Sequence, residues 1–241
     1  MRIGIASLVL LVTTGALARV ATPAAAQDEH PSEARAARPT PPLWEGEIAY
    51  RDTFVSDRGY AALSPNASLD QFSLSLSRGV YRRGRLEFSV GAGWDYGRAE
   101  STARGAPSSL TLHRLSAPLT ARYALTPWLD VFGRVAPAIA SQAARVEESS
   151  APAPLVASAW LPAGDASAGA AWRFAWTEGP GASVIGWWLM AEGGYAWTSS
   201  MSLALSPDLP SGDPRRTGTT DLGSVAMSGP FVRVGVSMSF W

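Results

Sequence analysis

The chain of 241 residues sets 20 Lys+Arg against 20 Asp+Glu, has no cysteine and is only 17% charged. That length fits one domain, or one and a half, and its basic residues, all arginine and scattered along the chain, form no stripe of the kind a nucleic-acid backbone requires. Without cysteine there is no disulfide framework, thiolate zinc site, Cys nucleophile or lipidated Cys anchor, and two histidines, His30 and His113, leave little for a metal cluster, so no metal or cofactor is expected.

At the N-terminus, Met1-Arg2 supplies a short positive start, Ile3 to Leu17 an apolar stretch, and Ala24-Ala25-Ala26 an A-x-A cleavage pattern before Gln27. Together they read as a secretory signal peptide over residues 1–26. A membrane anchor would need about 20 predominantly apolar residues, and Arg19 and Pro23 break the run. Cleavage removes Arg2 and Arg19, so the mature chain has 18 basic and 20 acidic residues and a net charge of −2. Residues 27–43, QDEHPSEARAARPTPPL, are charged and Pro-rich with almost no large apolar groups; such a segment buries too little surface to fold and reads as a disordered leader.

From Trp44 onward the apolar pattern has period two. Trp44, Ile48, Tyr50 and Phe54 alternate with Glu45, Glu47, Arg51 and Thr53; Phe72, Leu74, Leu76 and Val80 with Ser73, Ser75 and Ser77. In Leu86 to Gly97 every even residue up to Tyr96 is apolar and every odd one is Glu, Ser, Gly or Asp. The pattern continues in Leu115 to Tyr123, in Leu129 to Val135, in Ala168 to Trp176, in Ile185 to Trp197 and in Val232 to Phe240. This predicts eight strands. Pro118 and Pro137 each remove a ladder donor, and a phase slip between Leu112 and Leu115 predicts a bulge there.

Three connections are short, around Tyr81-Arg82-Arg83-Gly84, Leu125-Thr126-Pro127 and Glu178-Gly179-Pro180-Gly181, whereas 56–69, 98–109, 141–164 and 200–228 read as long loops. Short and long alternate strictly, which places all short turns at one end of a meander and all long loops at the other. An even strand number with this asymmetry predicts an all-β fold, an eight-stranded antiparallel up-and-down transmembrane β-barrel over residues 44–241. The chain ends Val232-Arg233-Val234-Gly235-Val236-Ser237-Met238-Ser239-Phe240-Trp241. In architecture it resembles the small eight-stranded outer-membrane barrels of the OmpA, OmpX and OmpW type. The resemblance implies that a terminal aromatic, Phe240 by phase or Trp241 by position, serves as the signal read by the barrel assembly machinery.

A spanning sheet must close on itself, because lipid offers no partner to a free backbone amide. Its outer face is then apolar, and aromatic rings are expected at the two interfaces: Trp44, Tyr123, Trp176 and Phe240 beside the short turns, Phe54, Trp94, Tyr96, Tyr195 and Trp197 beside the long loops. The inward phase carries Glu47, Arg51, Glu87, Asp95, Arg122, Asp130, Arg134, Arg173, Glu192 and Arg233, five acids and five arginines in a lumen that eight strands leave just wide enough for side chains. Burying them requires that they pair, so a locked Arg–carboxylate ladder is expected rather than a gated ion path. A turn centred on Thr126 would set Arg122 opposite Asp130.

Gly91-Ala92-Gly93 with Gly97 lacks the following helix and the spacing of a dinucleotide fingerprint. His113 has no serine two residues on and no assembled partners, so it reads as a rim or lumen hydrogen-bonder and not as a catalytic base. The expected protein is therefore a non-enzymatic, monomeric barrel in the outer membrane of a Gram-negative cell, with outer-membrane lipid and the assembly machinery as partners. Its expected role is structural, adhesive or weakly ligand-binding. Two alternatives remain at this stage: a narrow channel for small or apolar solutes, which the OmpW-type resemblance allows, and a barrel enzyme acting on lipid A.

Overall fold

The computed structural model describes residues 44–61, 63–64, 66–103, 106–147, 153–178, 184–210, 212–216 and 219–240. The expected signal peptide, the leader and Trp241 lie outside them. The elements in chain order are β1 (Trp44–Phe54), α1 (Arg58–Ala61), β2 (Ser68–Arg83), β3 (Leu86–Ala103), β4 (Ala106–Ser116), β5 (Leu119–Ala124), β6 (Leu129–Val146), β7 (Leu155–Glu178), β8 (Val184–Thr198), β9 (Met201–Pro207), β10 (Thr220–Val225) and β11 (Gly229–Phe240).

Eight antiparallel positions close into a ring. β1 pairs with β2 and β11; β2 pairs with β3; β3 pairs with both β4 and β5, and so does β6; β6, β7, β8 and β11 then follow in order. β4 and β5 are thus one strand interrupted at Ala117 and Pro118. Proline has no N–H to give the ladder, but the break is stitched on both sides: the Pro118 carbonyl accepts the Gly91 N–H, and the Ala117 N–H donates to the Pro137 carbonyl, each at 2.9 Å. The seam runs in register from Trp44↔Phe240 to Thr53↔Phe231.

The predicted bulge between Leu112 and Leu115 does not exist, since β3 and β4 keep one register from Gly93↔Ser116 to Ala103↔Ala106. The register instead skips one residue at Val80 and one at Phe174. What slips at Leu112 is the identity of the apolar face. Leu115, Leu119, Val131, Val135 and Ile139 are outward and exposed, whereas Leu110, Leu112, Ala140, Ala144 and Val146 on the same strands are buried inside. Outside those inward residues lie Ser109, Thr111, Ser141, Arg145 and Glu147.

This second zone takes up chain that the sequence predicted as loop. β3 and β6 run for 18 residues each and β7 for 24, so most of 98–109 and 141–164 is strand. The predicted loop 56–69 contains α1, and 200–228 contains the β9–β10 hairpin. Their apolar side chains seal one core: Val55, Tyr60 and Leu63 meet Leu69, Leu155, Met201, Leu203, Leu205, Val225 and Met227. Asp57 holds the short helix in place. Its Oδ1 accepts the Gly59 N–H at 2.7 Å, as a capping residue does, and its Oδ2 accepts the Ala226 N–H at 3.2 Å. The Tyr60 hydroxyl donates to the Ser68 carbonyl at 2.8 Å.

Candidate functional site in the barrel lumen

Below the sealed core the strand phase turns charged residues inward, and the first tier is two linked rectangles of ions. In one, Arg51 and Arg114 each reach Asp165 at 2.8 Å and Asp95 at 3.6 and 3.9 Å. In the other, Arg134 reaches Glu47 at 2.9 Å and Glu192 at 3.4 Å, while Arg233 reaches Glu192 at 2.9 Å and Glu47 at 3.9 Å. Arg233 also contacts Asp95 at 3.6 Å and so joins the two. Four acids face four arginines, and each ion touches at least two of opposite sign.

β1, β3, β4, β6, β7, β8 and β11 supply these ions, and β2 supplies hydroxyls. Ser73 donates to Asp95 at 2.5 Å and Ser75 to Glu47 at 3.2 Å. Thr53 accepts from Arg51 Nε at 3.2 Å and from the Gln71 amide at 2.7 Å. The Arg51 guanidinium lies 3.8 Å from the Phe231 ring centroid. Desolvating eight charges costs several kcal/mol per ion, offset where each lone pair and N–H finds a partner; every ion here is paired, although Arg114 Nε and Arg233 Nε are buried without a hydrogen-bond partner. A void of about 10 Å³ beside Glu47, Ser75, Asp95 and Arg233 is room for about one water.

The second tier closes the short-turn end. Trp188 is 1% exposed and packs with Phe132, Ala171 and Met190. Its indole N–H donates to Ser239 Oγ at 2.9 Å. The guanidiniums of Arg122 and Arg173 lie 5.5 and 5.6 Å from its ring centroid, within cation–π range. Arg122 also reaches Glu45 at 2.9 Å, and Ser237 donates to the same carboxylate at 2.6 Å. Glu87 sits opposite Arg122 on the β3–β5 ladder.

The outer face is the complement of this interior. Ile48, Leu74, Leu76, Val90, Leu115, Leu119, Val131, Val135, Val232, Val234 and Val236 are all exposed in one continuous belt, far more apolar surface than a protein in water presents. Trp44, Tyr123, Trp128, Trp176 and Phe240 are exposed at its short-turn edge, and Phe54, Trp160, Tyr195 and Trp197 at the opposite edge. A closed ring with its charges inside and a greasy, aromatic-edged exterior pairs its strand backbone within the ring and matches its outer face to lipid. The chain is an eight-stranded transmembrane β-barrel.

No protein-family model matches the chain and no curated protein matches it. Among solved structures, it is similar to Neisserial surface protein A (NspA), with 13% identity over 81% of this chain and 94% of that one and a TM-score of 0.36. It is also similar to the outer membrane protease OmpT from Escherichia coli, with 8% identity, 83% and 94% coverage and a TM-score of 0.45. The transport unit of the autotransporter AIDA-I from Escherichia coli gives 10% identity, 85% and 92% coverage and a TM-score of 0.35. The architecture stated above rests on the barrel's own strand pairing.

Several placements differ from expectation. Arg122 is opposite Phe132, and Asp130 is opposite Ala124. The last pair encloses five residues, Leu125 to Leu129, two more than Leu125-Thr126-Pro127, and the Leu125 N–H donates to the Leu129 carbonyl at 3.0 Å. Arg122 and Asp130 are therefore diagonal neighbours, and the carboxylate that Arg122 grips is Glu45. Arg173 stacks on Trp176 and Trp188. His113 faces outward, its ring 5.1 Å from Tyr96 and 6.1 Å from Trp94, so it belongs to the aromatic edge and not to the lumen.

Four lumen residues escaped the sequence reading. Asp165 adjoins the segment read as loop, Arg114 lies within the apparent phase slip, and Trp188 has an even number beside the outward Trp187 and Leu189. Glu45 was on the polar phase but was not drawn into the network. Once β7 is extended back to Leu155, the alternation of Ala163, Asp165, Ser167 and Gly169 is the signal that would have found Asp165.

Proposed function

We propose that the barrel is a non-enzymatic outer-membrane protein of a Gram-negative cell that offers no diffusion pathway and serves as a rigid anchor for its outward β-extension. The observation that carries this reading is the lumen itself, filled in sequence by the Trp188 tier, the eight-ion tier and the apolar core. By the usual asymmetry of such barrels the short turns face the periplasm and the extension faces outward. The extension's outer surface is small and polar, with Ser109, Thr111, Ser141, Arg145 and Glu147, which suits a structural, adhesive or weakly ligand-binding role. The N-terminal 26 residues act as the export signal, and the outward Phe240, paired with Trp44 at the seam, acts with Trp241 as the signal for the assembly machinery. The barrel works as a monomer without a cofactor.

The test is conductance of the full mature chain in planar bilayers after refolding, with heat-modifiable gel migration as proof of closure. No steady current is expected from the wild type, and Trp188→Ala together with Arg134→Ala should open one. A large steady wild-type conductance would overturn the reading. Phe240→Ala should lower the assembled fraction in cells while the refolded protein still closes.

A further inference from the structure

The charged side chains exposed at the two ends of the barrel differ in kind. Beyond the apolar belt on the extension side, acids and arginines mix: Arg98 with Glu100 at 2.7 Å, Arg145 with Glu147 at 3.3 Å and Asp213 with Arg215 at 2.9 Å. At the short-turn end, the β2–β3 hairpin exposes Arg78, Arg83 and Arg85. No acid partners their guanidiniums among the described residues. Glu45 and Glu87, on the neighbouring strands β1 and β3, lie on the inward phase, and Glu45 is held by Arg122 and Ser237.

Two details show that the backbone aims these arginines. Arg78 occupies an outward position between Leu76 and Val80, and its guanidinium lies 5.8 Å from the Trp44 ring centroid. An arginine there is tolerable only near the interface, with its stem on apolar surface and its head at headgroup level. The bulge at Val80 then inverts the phase. Continued alternation from Arg78 would turn Tyr81 and Arg83 inward, but after the skipped residue Tyr81 pairs with Phe88 and Arg82 with Glu87. The bulge thus sends Tyr81 and Arg83 outward, the Tyr81 and Phe88 rings 6.1 Å apart, and Arg82 toward the lumen acid. Re-aiming a side chain is what such bulges do. Gly84, with φ of 61°, then turns the chain back in two residues and leaves Arg85 exposed.

We propose that Arg78, Arg83 and Arg85, floored by Trp44, Tyr81 and Phe88, form a binding collar for the phosphates of anionic phospholipid in the periplasmic leaflet. Guanidinium forks match phosphate oxygens bidentately, the aromatic rings seat at the glycerol level, and among the described residues no carboxylate is paired with these three arginines. The proposal rests on the membrane-spanning reading, and the experiment separates the two.

The full mature chain is refolded into nanodiscs of phosphatidylcholine and phosphatidylglycerol, and the lipids retained on release are counted by native mass spectrometry. Wild type should retain phosphatidylglycerol over phosphatidylcholine. Arg78→Gln/Arg83→Gln/Arg85→Gln should lower that preference by about an order of magnitude or more, and Arg→Lys at the same three positions should restore it in part. Equal retention of both lipids by the wild type, or an undiminished preference in the Gln variant, would overturn the collar. If the triple variant fails the heat-modifiability check, Arg83→Gln/Arg85→Gln, confined to the turn region, carries the same comparison. A wild type that never inserts, even into pure phosphatidylcholine, would instead sink the membrane-spanning reading.

Discussion

The belt and the extension are built from the same strands and obey opposite rules. On β6, Val131, Val135 and Ile139 are exposed in the belt, while a few residues further along Ala140, Ala144 and Val146 are buried and Arg145 and Glu147 are exposed. The backbone alternation never breaks between them. What changes is the solvent: lipid draws apolar groups outward and leaves the ions to one another, whereas water drives apolar groups inward. A strand crossing that boundary therefore inverts its hydrophobic pattern without any change in geometry, and a reader following one phase sees a slip or a loop.

The contrast can be broken most severely from inside. Asp165→Ala removes the carboxylate shared by Arg51 and Arg114 at 2.8 Å and leaves two buried cations with only the longer contacts to Asp95, at 3.6 and 3.9 Å, for an expected loss of about 3 to 5 kcal/mol. Urea titration of the refolded barrel measures it. Asp165→Ala combined with Arg114→Met should cost less than the sum of the separate changes, because the second removes one stranded charge. Additive losses would contradict the network.

The boundary itself is sharpened by two outward positions on β4. Leu115→Arg places a cation in the belt and should lower folding stability in vesicles by about 2 to 4 kcal/mol. Thr111→Arg lies four residues further along the same face, beyond the belt, and should change it little. Equal penalties would move the water boundary past Thr111. On the inward face, Leu112→Ala empties part of the extension core and should cost about 2 to 5 kcal/mol, set by how far the site collapses. Hydrogen exchange should then rise in β4, β6 and β9 while the belt stays protected.

The smallest effect is expected on the extension surface. Glu147→Gln breaks an ion pair with Arg145 whose side chains are about half exposed, and such pairs contribute about 0 to 1 kcal/mol. A loss well above that range would show that Arg145 and Glu147 take part in an interaction beyond this chain.

Much of the belt was legible in the sequence, because within lipid one strand phase must be apolar and the other must hold every ion. Period-two alternation alone therefore placed Glu47, Asp95, Arg134, Glu192 and Arg233 on the inner face. It also separated three short turns from four long connections. The extension was not legible in the same way. Alanine and serine carry too little hydropathy to show which phase of 141–164 is inside, and the water boundary reverses the rule that had been read up to that point.

Partner choice within the lumen belongs wholly to the tertiary structure. Arg122 reaches Glu45 from β1 at 2.9 Å and has Asp130 as a diagonal and not an opposite neighbour across its own turn, since shear and the five residues Leu125 to Leu129 set the register, and two added residues move every opposite pair. Arg51 and Asp165 lie 114 positions apart and meet at 2.8 Å only because the ring closes. Composition and alternation determine which residues an inward face will hold. Closure determines which of them touch, because that depends on the strand tilt and stagger of the whole ring and not on any one strand.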